Sequence, residues 1–89
     1  MNGAALDELP TATGSGRSEY RLWRVYDAGG VVPCLKVRFH DDAEVPDWRR
    51  GPDLAAARAR AAADGWHAYD SEPGNAPGEH SIIHLKRSV

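Results

Sequence analysis

The sequence predicts an α+β domain of order β-β-α-β-β, one alanine-rich helix packed on a mostly antiparallel four-stranded sheet. Three observations predict it. Two stretches rich in aromatic and branched residues, "SEYRLWRVYD" (18–27) and "VVPCLKVRFHD" (31–41), flank a Gly29-Gly30 pair. A single helix-forming stretch, 53–64, carries seven alanines. Two further strand-like runs, "WHAYDS" and "HSIIHLKRS" (80–88), follow it.

At 89 residues the chain is one domain with a small core. Residues 1–17, "MNGAALDELPTATGSGR", mix Gly, Pro, Ser and Thr without a period, and read as a disordered tail in which Leu6 and Leu9 are candidates for a short docking turn. Residues 18–89 form the compact domain. In the first hairpin both glycines can take positive φ, which favours a two-residue loop. Along the second strand Val31, Leu35, Val37 and Phe39 share one face, while Cys34, Lys36, Arg38 and His40 share the other. Pro33 places that stretch near an edge or a strand start. "DDAEVPDWRRGP" (41–52) reads as a loop. The helix starts at a cap supplied by Asp53 or Gly51, beside Pro52, and its stripe is Leu54, Ala57 and Ala61. Gly65 is the left-handed residue just past its end. Trp66 then folds back over the last turn and supplies the bulk that the alanines lack. After the turn-rich "EPGNAPGE" (72–79), Ile83 and Leu85 of the last strand point inward.

The early "EYRLWRV", the helix running into "DGWHAYDS" and the final "SIIHLKR" together resemble a small bacterial family of unknown function. Its members open on a Glu-Tyr-Lys-like strand, run a helix into Gly-Trp and end on a short apolar strand before Lys-Arg. Arg58 and Ala61 stand where that family places leucines. The resemblance implies the fold; it implies no activity.

The composition narrows the chemistry. A net charge of −2 argues against a generally basic nucleic-acid protein. The lone Cys34 forms no internal disulfide and fits a reducing compartment, and no apolar run is long enough to span a bilayer. The expectation is a cytoplasmic protein without membrane contact. His80 and His84 sit four residues apart, roughly 13 Å along a strand, too far to share one ion. Cys34 and His40 are roughly 20 Å apart along theirs. Asp41-Asp42-Ala43-Glu44 lacks the glycine and the alternation of a calcium loop. No phosphate loop or nucleophile elbow occurs. The expectation is therefore no enzyme, no cofactor and no metal.

One surface remains. With a two-residue Gly29-Gly30 loop, Tyr20 faces Phe39, Leu22 faces Val37 and Arg24 faces Leu35 on the core side. The opposite face then gathers Arg21, Trp23, Lys36 and Arg38, with Arg21 directly opposite Arg38. The plainer account has Lys36 covering Trp23 and the acids of 41–47 neutralising the arginines, and a one-residue change of loop exchanges the faces. Trp48, Arg49 and Arg50 are secondary candidates. The sheet carries more aromatic surface than one alanine-rich helix can cover. The expected function is a non-catalytic protein–protein interaction or accessory module, with self-association or a foreign partner on that face. The alternative is single-stranded nucleic acid or another polyanion bound by stacking and basic contacts on the same face.

Overall fold

A computed structural model describes residues 17–89. The tail expected over 1–17 lies outside the described residues except for Arg17. The elements are β1 (Ser18–Asp27), β2 (Leu35–His40), β3 (Ala43–Glu44), a 3₁₀ turn at Trp48–Arg50, α1 (Leu54–Ala63), β4 (His67–Pro73) and β5 (Glu79–Ser88). They make an α+β domain with one helix on a fully antiparallel sheet of order β3-β2-β1-β5-β4. The sheet has five strands where four were expected. The extra strand arises because Asp41 takes a positive φ of 57°, a conformation that aspartate tolerates better than most residues. The chain reverses there, and Glu44 and Ala43 pair back on Phe39 and His40.

The helix ends follow the local sequence. The Asp53 carboxylate accepts the Ala56 N–H at 2.9 Å and caps the N-terminus. At the other end Gly65 has φ 88°, its N–H bonds to the Ala62 carbonyl at 3.0 Å, and the Trp66 N–H bonds to the Ala61 carbonyl at 2.9 Å. That pair of bonds is a Schellman motif, with Trp66 in the position whose side chain packs back on Ala61. Both residues are buried, and they join Trp23, Val25, Ile83 and Leu85 in the core, ringed by Leu35, Val37, Leu54 and Ala57.

The first hairpin departs from expectation. Gly29 and Gly30 do take positive φ, 90° and 111°, but they sit inside a longer loop, residues 28–34. The Asp27 carboxylate organises that loop. It accepts the N–H groups of Gly29 at 2.8 Å and Cys34 at 3.2 Å, and the Ala28 N–H closes on the Cys34 carbonyl. Val31, Val32 and Pro33 therefore lie in the loop and are exposed, so the second strand begins at Leu35 rather than Val31. The observed pairs are Trp23 with His40, Arg24 with Phe39, Val25 with Val37 and Asp27 with Leu35. Arg38 has no partner on β1; it is the extra residue of a bulge that shifts the register between Arg24 and Val25. A longer loop and one bulge replace the expected pairing of Tyr20 with Phe39, Leu22 with Val37 and Arg24 with Leu35. They turn Trp23 and Val25 toward the helix.

Candidate interaction face

The expected cluster of Arg21, Trp23, Lys36 and Arg38 is not assembled. Trp23 lies in the core at 5% exposure. Arg21 is on the helix side, its guanidinium 4.1 Å from the centre of the Trp66 ring. Lys36 donates through Nζ to the carbonyls of Arg49 at 2.7 Å and Gly51 at 2.8 Å, and so clamps the turn that carries the chain around the β2 edge toward α1. Arg38 lies on the opposite side of the sheet from Arg21. It is paired with Glu44 at 2.7 Å and stacked over the rings of Tyr26, Phe39 and Trp48. The like-charge opposition that made the cluster notable disappears with the register. Trp48 is buried against Tyr26, Arg49 lies over the Trp48 ring, and Arg50 is exposed, 4.0 Å from Asp47.

The sheet face away from α1 carries a different set. Alternation and pairing bring together Tyr20, Leu22, Arg24 and Tyr26 of β1 with Ile82, His84 and Lys86 of β5 and with Tyr69, Asp70 and Glu72 of β4. Its two ends differ. Near Tyr26, Trp48 packs from the β2 edge and the loop of residues 74–78 closes from the other side. Glu79 holds that loop. Its side chain has no exposed surface; it pairs with Arg24 at 3.0 Å and accepts the N–H groups of Asn75 and Ala76. Burial pushes the Glu79 carboxyl up, but the Asn75 N–H, the Arg24 guanidinium and the Ala76 N–H outweigh it and hold it below its usual value. Gly74 passes so close to Glu79 that a Cβ there would lie 2.2 Å from the Glu79 carbonyl oxygen.

The other end is open. Tyr20 is 68% exposed and Tyr69 is 49% exposed, and their rings meet edge to face at 6.3 Å. Tyr69 is the residue β4 adds at its own bulge, which brings its ring beside His84, 6.2 Å away, and under the Lys86 ammonium, 5.3 Å away. His84 Nε2 and Glu72 Oε2 are 2.6 Å apart. Leu22 is bound to the turn after β2, its N–H donating to the Asp41 carboxylate at 3.0 Å. The pair of His84 and Glu72 has the geometry that orients a general base, yet no Ser, Thr or Cys side chain among the described residues hydrogen-bonds to His84. Counting the hairpin from Gly29-Gly30 places Tyr20, Leu22 and Arg24 of this face on the core side, although the inward Ile83 and Leu85 already put His84 and Lys86 outside. The exposed tyrosines were legible only as surplus aromatic surface.

A groove lies on the helix side, where α1 leaves β4 uncovered because alanines reach only a short way. It has a volume of about 400 Å³ and runs past Leu54, Arg58, Ser71, His80 and Ile83. Its closest polar pair is His80 Nδ1 and the Ser81 hydroxyl, 3.1 Å apart on neighbouring residues of β5. Among the described residues no cluster of His, Cys, Asp and Glu could hold a metal ion, and no helix is long and apolar enough to cross a membrane.

No protein-family model matches the chain, and no curated protein and no solved structure matches it either.

Proposed function

We propose that this chain is a non-catalytic protein-interaction module that docks its partner on the open end of the sheet face around Tyr20 and Tyr69. One observation carries the reading: two large rings, Tyr20 and Tyr69, stay in solvent edge to face on a sheet face that α1 does not cover. Rigid aromatic side chains give much contact area for little lost entropy, and they concentrate at the centres of interfaces. Edge pairing is a weaker mode of docking. β3 is only two residues long, and the β4 edge is interrupted by the Tyr69 bulge and ends at Pro73. Polyanion binding on this face is disfavoured by Asp41, Asp42 and Asp70, set against the one ammonium of Lys86.

The test is photo-crosslinking in the native host with a photoreactive phenylalanine in place of Tyr20, and separately in place of Ala59 on the helix. Defined protein adducts from position 20 that survive nuclease treatment, and are absent from position 59, are expected. Adducts that disappear with nuclease, or that form equally from both positions, would overturn the reading.

A further inference from the structure

Resting on that reading, the geometry points to a partner of one chemical class: a flexible, arginine-rich protein segment that lays a guanidinium on the uncovered Tyr20 ring. The fold treats its other aromatic surfaces consistently. Arg38 lies over Tyr26, Phe39 and Trp48, Arg49 over Trp48, Arg21 and Arg87 over Trp66, and Lys86 over Tyr69. Trp23, as buried as Trp66 and Trp48, is the one core ring without a cation over it among the described residues, and it has no face left in solvent to offer a partner. Tyr20 is the exception. It is the most exposed ring, and among the described residues no cation lies over it; its one ring contact is with Tyr69. A cation attracted to the negative face of a ring is the contact this surface makes wherever its own chain supplies one.

The surrounding charge has the matching sign. Asp41 is hydrogen-bonded to the Leu22 N–H, beside the patch. Asp42 lies close enough to Arg24 to raise that guanidinium's pKa, after the larger effect of its bond to Glu79. Asp70 is opposite His84, and Glu72 holds the His84 ring. Lys86, directly opposite Tyr20 across the strands, is the one ammonium among them and lies over Tyr69 instead; Arg24 and Arg38 are committed to Glu79 and Glu44. Carboxylates around exposed rings repel a phosphate backbone and attract a guanidinium, which can stack and donate to a carboxylate at once. Two exposed rings side by side at the open end of a sheet face give an extended segment a surface to lie along.

The experiment is fluorescence anisotropy with the full chain at physiological salt, using three labelled probes: a short peptide of alternating arginine and glycine, its glutamate counterpart, and a short oligothymidylate. Binding of the arginine peptide alone is expected. Tyr20→Ala should weaken it about two- to five-fold, the loss of one exposed cation–π contact, while Tyr20→Phe should preserve it. Tyr20 is so exposed that neither change should unfold the domain, which a melting curve checks. Asp70→Asn with Glu72→Gln should also weaken binding, whereas Asp64→Asn, an equal loss of charge per site at the end of the helix, should not. Equal losses from both sets of acids would show unspecific attraction and overturn the proposal. So would binding of oligothymidylate or of the glutamate peptide, or no binding of the arginine peptide. Concentration-dependent sedimentation abolished by Tyr20→Ala would give the face to a second copy. That result overturns the cationic partner and leaves the interaction module standing, whereas failure of the position 20 crosslinks removes the module itself.

Discussion

Replacing Trp66 with alanine tests the central packing of this fold. Trp66 is 5% exposed in the core beneath α1. A buried tryptophan removes about 150–250 Å² from water, which at about 25 cal/mol per Å² is worth roughly 4–6 kcal/mol. The unfolded chain already hides part of that surface, which brings the figure to about 3–5 kcal/mol, the range found for large-to-small core substitutions. The alanine-lined helix has little side-chain bulk with which to collapse into the space. A domain of this size holds about 4–13 kcal/mol in all, so the variant should be near the edge of folding. The melting temperature should fall by about 15–30 °C in a calorimetric or circular-dichroism scan. Arg21 and Arg87 both stack on the same ring, 4.1 and 4.7 Å from its centre. Arg21→Met should therefore cost about 0.5–1 kcal/mol in the parent and nearly nothing in Trp66→Leu, a coupling that a double-mutant cycle reads directly. A fall of less than about 8 °C for Trp66→Ala, or no coupling to Arg21, would refute the packing described here.

Three further outcomes are expected. Gly74→Ala should destabilise by about 1–3 kcal/mol or more, because its Cβ would meet Glu79 backbone and side chain at 2.2–2.7 Å, whereas Gly51→Ala, with its nearest atom at 3.3 Å, should cost less; urea midpoints compare them. Glu79 and Asp27 are both held below their usual values, Asp27 chiefly by the N–H groups of Gly29 and Cys34. A carboxyl depressed on folding adds stability that is complete above its unfolded pKa and is lost as pH falls through the folded value. Stability should thus drop below about pH 4, and Glu79→Gln should lower stability at neutral pH while flattening that acid limb, as denaturant titrations across pH will show. Trp23→Phe should cost less than its lost volume implies, because the buried indole Nε1 has no hydrogen-bond partner and its removal relieves an unpaired donor; a thermal scan with a loss as large as that of Trp66→Ala would contradict this.

Local chemistry was enough to determine a good deal from the sequence. The helix and the Gly65-Trp66 closure depend on hydrogen bonds and φ values within a few residues, so residue type and spacing specify them; the cap was narrowed to Asp53 or Gly51, and the structure decides for Asp53. The inward placement of Ile83 and Leu85 follows from the period of a strand against a single helix. Positive φ at Gly29 and Gly30 was legible for the same reason, since glycine alone adopts it freely.

The pairing of β1 with β2 was a different kind of quantity. It depends on how Asp27 closes the loop of residues 28–34 and on a bulge at Arg38, and neither leaves a mark in the alternation of apolar residues. Because side chains alternate faces at every residue, that small local choice carried Trp23 from the expected surface into the core and split Arg21 from Arg38 across the sheet. The strand order, with β5 beside β1, was also open, since hydrophobic pattern constrains which face is buried and not which strand is next. Composition alone determined that there are more aromatic rings than one alanine-rich helix can cover. Only the tertiary structure decided that the rings left outside are Tyr20 and Tyr69, because long-range pairing chooses the exposed face.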